Sequence, residues 1–424
     1  MAEPEALKGK LRLPVIGAPL FIISNPDLVL AQCKAGIVGS FPALNARPVS
    51  QLDEWLDRIT SELDSYNRAN PDKPAAPFAV NQIVHRSNAR LEEDMALCEK
   101  YKVPVVITSL GAREDVNTAV KSWGGITLHD VINQRFAHKA IEKGATGLIC
   151  VSAGAGGHAG SLPPFGFVAE TREWFDGPIL CSGSIGTGGG VLAAQAMGAD
   201  YAYIGSAFIA TEEARADEAY KQGIVEGSAE DIVYTNLFTG VHGNYLRKSI
   251  VDAGLDPDDL PESDPSKMDF GSGGGSKAKA WKDIWGSGQG IGAVKAVRPA
   301  AEFIAQLPAT ILFSRLTAPP AQIGQGKQVE AGDHQQDQRH QCRQADGKRQ
   351  AFAAQPGDID DDIGKYQRGE GDRQPAMALA NERAEFHGVS FMGFGGQVSR
   401  YAPARLPSHR GSAASRPAQV SDRS

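Results

Sequence analysis

The sequence predicts an α/β protein folded as a closed (β/α)8 TIM barrel, and three observations carry that prediction. From Leu11 to about Ala210 of the 424 residues, short apolar runs alternate with longer amphipathic ones. Eight such runs occur, each followed by a crossover segment, which implies parallel pairing. Glycines and polar residues gather where the runs end, and the C-terminal ends of barrel strands are where chemistry is placed. Eight strands in roughly 200 residues fit closure better than an open doubly wound sheet, the structural alternative.

In chain order, strands are expected at 15–18, 37–41, 78–81, 103–108, 125–128, 147–151, 178–182 and 201–205, each a short apolar run bounded by polar or turn residues. Asn25-Pro26-Asp27 opens a helix between the first two. Helical segments follow at 51–63 and at 88–100, where charges surround Leu91, Met95 and Leu97, and the series continues at 131–143 and 190–197. The barrel is assigned to residues 1–210.

After residue 210 the strand alternation stops. Residues 212–224 read as a helix, Ser228-Ala229-Glu230-Asp231 as another helix start, and 278–284 and 293–307 as further helical pieces. An acidic, proline-bearing linker (256–264) and a glycine-rich loop (271–275) lie between them. Residues 211–307 are therefore expected to form a small helical cap and barrel-closing segment. Beyond Leu307 the character changes abruptly. The stretch HQQDQRHQCRQADGKRQ has neither period, and the end is rich in Arg, Ser and Pro. Such composition buries too little apolar surface to offset chain ordering. Residues 308–424 are expected to be a disordered tail or an out-of-frame translation, since no linker grades the switch.

A formal net charge of -7 argues against nucleic acid or an anionic membrane as partner. The five cysteines show no CxxC or CxxH spacing, so no metal site or disulfide framework is suggested. Cys150 and Cys181 lie in apolar runs, where a free thiol behaves as a small buried hydrophobe. The N-terminus has no apolar h-region and no stretch is long enough to cross a membrane, so the cytoplasm is the expected compartment.

The most informative motif is Gly154-Ala155-Gly156-Gly157-His158-Ala159-Gly160, directly after the sixth strand. Glycines let backbone approach a flat or phosphorylated ligand closely, and His158 adds one titratable imidazole. After the seventh strand comes CSGSIGTGGG with Ser182, Gly183 and Ser184, and after the eighth YIGSAF with Gly205 and Ser206. In barrels these two loops build a phosphate site from backbone N–H groups and a helix N-terminus. No GxGxxG opens the first βα turn, which disfavours a dinucleotide fold, and no strand-end lysine suggests a pyridoxal Schiff base. A phosphate-bearing cofactor is the leading reading.

Taken together, PVIGAPL, PFAVN, GAGAGGHAG, SGSIGTGGG and YIGSAFIAT, in that order, resemble the nitronate monooxygenase family, formerly the 2-nitropropane dioxygenases. SGQG at 287–290 is similar to that family's flavin-side glutamine motif. The resemblance covers about residues 11–307. It implies an FMN-dependent barrel oxidising alkyl nitronates, and possible nitroalkane substrates, with molecular oxygen. His158 matches the family's catalytic histidine, as base or anion stabiliser. The backbone at Ala18, Pro19 and Leu20 and the Asn81 side chain match flavin-ring contacts, and Gln289 a further one. Gly183, Ser184, Gly205 and Ser206, beside Ser182, match the phosphate cradle. The chain departs from the family at Ser184, where Gly is common, at Thr187, where Asp is common, and before the histidine, where Gln or Glu is common. Some members with such departures reduce quinones with NADH.

Two alternatives stay open at this point: an FMN-dependent NADH:quinone or enoyl reductase, and a non-redox phosphate-ligand barrel or binding protein. Among secondary candidates, His129 is placed after the fifth strand, where it faces either the cofactor or the core. His242 reads as a surface-loop residue within reach of the site, and Asn244, Tyr245 and Arg247 as possible substrate or phosphate ligands. Asp256, Asp258 and Asp259 read as a solvated linker, because no Gly stands where a calcium loop needs one. Small-molecule substrate and oxygen are the expected partners, with oligomeric state undefined.

Overall fold

Eight parallel strands form the barrel in the computed structural model, which describes residues 4–263 and 283–317, with side chains to 308. They are β1 (Val15–Gly17), β2 (Gly39–Pro42), β3 (Phe78–Ile83), β4 (Val105–Ser109), β5 (Ile126–Val131), β6 (Gly147–Val151), β8 (Ile179–Ser182) and β9 (Tyr201–Ile204). A two-residue strand, β7 (Gly157–His158), stands apart from them. Neighbours run β1-β9-β8-β6-β5-β4-β3-β2, and a parallel bridge between Ile16 and Val38 joins the two ends. Every strand falls where its apolar run predicts. The fold is a nearly closed TIM-like barrel.

Alternation along each strand decides what faces inward. Ile16, Val38, Ala79, Val105, Ile107, Leu128, Ile149, Leu180, Tyr201 and Tyr203 form one interior cluster, joined by Leu7 from the turn before β1. The opposite strand faces meet the helices. Phe41, Val80 and Val106 pack with Leu52, Trp55, Leu56 and Ile59 of α2 (Val49–Ala69). Burying each such side chain contributes about 1.5–3 kcal/mol, so this layer is integral to the fold.

Helix α1 (Pro26–Lys34) starts where Asn25 predicts: its side chain accepts from the N–H groups of Asp27 and Leu28. The helices α3 (Leu91–Lys100), α5 (Gln134–Glu142) and α7 (Gly188–Ala196) also lie in their expected segments. Two crossovers, α4 (Glu114–Ser122) and α6 (Pro164–Trp174), were not anticipated as helices. A single turn, α8 (Ser206–Ile209), follows β9.

The segment after residue 210 is more than helical. It contains α9 (Glu218–Glu226), but then β10 (Ile232–Thr235) and β11 (Gly243–Leu246), an antiparallel ribbon whose third strand is β7 of the glycine loop. The expected helical cap thus carries a β-ribbon in addition. Four-residue strands whose third partner lies more than eighty residues away leave no local period. After α10 (Arg247–Asp252), the glycine-rich loop 271–275 falls outside the described residues. The last helix, α11 (Ala300–Thr317), runs past Leu307 through Pro308, so the structural boundary lies later than the change in composition. Its buried face (Ala300, Phe303, Ile304, Leu307) packs in the same cluster as Val191 of α7. The polar tail from residue 318 onward lies outside the described residues. No helix among the described residues is long and apolar enough to cross a membrane.

Candidate functional site

The loops after β6, β8 and β9 meet at the C-terminal mouth of the barrel, held by backbone contacts only glycine permits. The Gly154 carbonyl accepts from the N–H of Ser184 at 3.3 Å and of Gln289 at 2.9 Å. Gly154 has φ +80, and a Cβ there would stand 2.2 Å from Ser184 Oγ and 2.8 Å from Gln289 Oε1. Gly183, at φ +126, would push a Cβ to 2.8 Å from the Ala153 carbonyl. Ser184 takes φ +57, a left-handed backbone that suits glycine. Gly288 N–H donates to Ser206 Oγ at 2.8 Å, and a Cβ on Gly205 would lie 3.3 Å from Ala18 and 3.5 Å from Leu20.

Ala18, Leu20, Gly183, Ser184, Gly205, Ser206 and Gln289 are thus brought together, with Pro19 between the first two. Ser182 is the buried last residue of β8, its carbonyl accepting from Ser152 N–H at 3.0 Å. Thr187 caps α7, its side-chain oxygen accepting from Gly190 N–H at 3.1 Å.

His158 is fixed from the cap. Its backbone pairs with Gly243 of β11, and its Nε2 lies 3.0 Å from Thr239 Oγ1. Thr239 donates its one hydroxyl proton to the Val241 carbonyl at 2.9 Å. The same hydroxyl therefore links the imidazole to the Val241 backbone and holds the ring in place. Burial lowers the imidazole pKa to about 4, which makes the ring neutral at pH 7. The glycine loop is clamped to the same ribbon by Asn244 Nδ2, donating to the Ala155 carbonyl at 2.7 Å, and by Tyr234 OH, donating to Ala159 O at 3.1 Å.

Across the mouth, three inward-facing side chains on successive strands form a chain of hydrogen bonds. Asn81 Nδ2 donates to Ser109 Oγ at 2.8 Å and to the Ile107 carbonyl at 3.2 Å. Ser109 Oγ donates to Asp130 Oδ2 at 2.5 Å. Asp130 Oδ1 is buried with no hydrogen-bond partner. Burial raises the Asp130 carboxyl to about 6, against the lowering effect of the Ser109 hydrogen bond. Neither Ser109 nor Asp130 was singled out from sequence. The signal that finds them is strand alternation carried across the register, Asn81 beside Ile107 and Thr108 beside His129.

Several secondary candidates are placed elsewhere. His129 lies inside β5, not after it. Leu128 and Asp130 face the barrel interior, so period two turns His129 outward, where Nδ1 sits 2.6 Å from Thr108 Oγ1 and burial lowers its pKa to about 4. His242 is exposed and stacks on Tyr234 with centroids 5.0 Å apart. Tyr245 is buried against Phe238. Arg247 makes a two-point surface pair with Asp258, both bonds 2.9 Å, which accounts for two of the groups read as ligand and linker. Asn244 is spent on the glycine loop. Cys150 and Cys181 are fully buried, as their apolar runs imply.

The mouth fits a phosphorylated, flat, polar ligand on its own features. Gly154 and Gly183 let the three loops close on one another, Ser184 and Ser206 bring hydroxyls to the same loops, and the barrel wall carries an acceptor on Asn81 and an unpartnered carboxylate oxygen on Asp130.

A family model described as nitronate monooxygenase matches residues 5–309. A nitronate monooxygenase of Paraburkholderia phytofirmans is 27% identical over 342 residues, covering 69% of this chain and 91% of its own length. Among solved structures, a nitroalkane oxidase from Streptomyces ansochromogenes superposes with TM-score 0.61 at 23% identity, over 74% of this chain and 99% of its own. FabK from Thermotoga maritima gives TM-score 0.58 at 20% identity, over 74% and 96%. At those identities the structural likenesses establish the barrel fold.

Proposed function

The chain belongs to the nitronate monooxygenase family and is an oxidoreductase, and from that premise we propose that it binds FMN at the barrel mouth and oxidises alkyl nitronates with molecular oxygen. The observation that carries this reading is the convergence of three glycine-bearing loops on one mouth with a half-buried, neutral histidine in the first of them. Ser184, Ser206 and the backbone at Gly183 and Gly205 would hold the phosphate. Ala18, Pro19, Leu20, Asn81 and Gln289 would border the ring. Bound FMN supplies the electron acceptor that no side chain provides and passes electrons to oxygen.

The chain's own part is charge and proton handling. A nitronate is an anion, and its arrival beside His158 favours the protonated ring that burial alone disfavours. With a neutral nitroalkane, the neutral ring is already in the form that accepts the α-proton, while Thr239 holds it through Nε2. The β7–β11 pairing fixes where that ring sits.

The test is purification of the chain, an absorption spectrum, and analysis of the small molecule released on denaturation, with oxygen consumption followed on a preformed nitronate. A yellow protein that releases FMN and consumes oxygen with nitronate is expected. A folded, colourless protein that cannot be reconstituted with FMN rules the reading out.

A further inference from the structure

The directionality of the hydrogen bonds on the barrel wall carries more than the presence of Asn81. An amide side chain has two ends, one donor and one acceptor, and which end meets a ligand decides which ligand atom it accepts. In this chain the choice is forced from behind. The Ile107 carbonyl can only accept, so it takes one Asn81 amide hydrogen, at 3.2 Å. An ionised carboxylate can only accept, so Ser109 gives its single proton to Asp130, at 2.5 Å. Ser109 Oγ is then left as an acceptor and takes the second Asn81 hydrogen, at 2.8 Å. Both donors of Asn81 are committed to the wall, and its remaining polar atom is the carbonyl oxygen.

We propose that Asp130, acting through Ser109, is a positioning residue that makes Asn81 present an acceptor to the ring of the bound flavin. This rests on the flavin reading above. An oxidised isoalloxazine ring has one N–H, at N3, so an acceptor on the wall selects that edge. A donor there would select the ring's carbonyl and imine nitrogens instead. Among the described residues, Ser109 on β4 and Tyr203 on β9 are the groups whose interaction with Asp130 is seen. The Tyr203 phenol is pushed well up, first by burial and then by the Asp130 charge, so it stays neutral. The order of donors matters because a buried polar atom left unpaired, as Asp130 Oδ1 is, is costly.

The experiment compares binding of FMN and of 3-methyl-FMN, which lacks the N3 hydrogen, to the flavin-stripped full chain by quenching of flavin fluorescence. The wild type is expected to prefer FMN by about 10-fold, the worth of one hydrogen bond. Ser109→Ala and Asp130→Leu are each expected to weaken that preference, since only the Ile107 carbonyl then holds the amide, and the double variant to add nothing further, since both act on one path. Asp130→Asn keeps an oxygen that can accept from Ser109, and is expected to retain the preference. It also guards against misreading a folding defect in Asp130→Leu. If the wild type binds both flavins equally, or if Ser109→Ala and Asp130→Leu keep the full preference, the proposal is overturned while the flavin reading stands. If the wild type binds neither, both fall.

Discussion

His158, His129 and Asp130 are three buried or half-buried titratable groups whose environments pull in different directions, and their pH behaviour follows with a definite sign. Burial holds both imidazoles at about 4, below their ordinary value near 6.5. Between those two values the unfolded chain binds protons that the fold refuses, so each histidine contributes stability above about pH 6.5 that is lost as pH falls toward 4. Asp130, raised to about 6, acts oppositely, because the fold takes its proton before the unfolded chain does. Two groups outweigh one. Thermal melts from pH 7 to 4.5 should show Tm falling, and Asp130→Asn, which removes the opposing group, should make the fall steeper; a Tm that rises toward acid would show that Asp130 dominates. At the same scale, His158→Asn should leave FMN binding intact, since the phosphate-holding loops do not include it. Turnover of a neutral nitroalkane should drop by about 10²-fold or more, while a preformed nitronate suffers less, because only the first needs a base. Equal, small losses on both substrates would make His158 structural.

At the scale of elements, the glycine loop and the cap ribbon form one unit through β7, β11 and the Asn244 clamp. Gly154→Ala should therefore disturb binding: its Cβ would meet Ser184 Oγ and Gln289 Oε1, and φ +80 strains any side chain. A loss of roughly 1–3 kcal/mol in stability, with FMN affinity falling at least in step, is expected from melts and flavin titration. Unchanged FMN affinity would separate the loop from the cofactor. Thr239→Val should lower turnover and shift its pH profile by releasing His158 Nε2, with Thr239→Ser restoring both. The sequence marked this loop because glycine density and a lone histidine are local signals. It did not mark the ribbon, since β10 and β11 are four residues each and their third partner lies far away in the chain. Helix α1 was legible from Asn25-Pro26-Asp27. Helices α4 and α6 lack any side-chain cap hydrogen bond, and neither start stood out.

For the whole molecule, the barrel was readable because each parallel strand, covered on both faces, becomes a nearly continuous apolar run. What that pattern hides is which residues share a layer inside. Asn81, Ser109 and Asp130 come from three separate strands and meet only through the register, and His129 was misplaced for the same reason. The tail is a whole-molecule matter too. Ending the chain after Thr317, the last residue of α11, should leave Tm and flavin content unchanged, because the polar, aperiodic sequence beyond it offers little apolar area to bury. A clear drop in Tm would show that the tail packs on the barrel. The central claim, that this mouth holds FMN for nitronate oxidation, is tested most directly by anaerobic titration of the flavin-loaded protein, first with a preformed alkyl nitronate and separately with NADH. The account predicts that nitronate changes the flavin spectrum, that oxygen restores it, and that NADH leaves it unaltered; bleaching by NADH with no response to nitronate would contradict it.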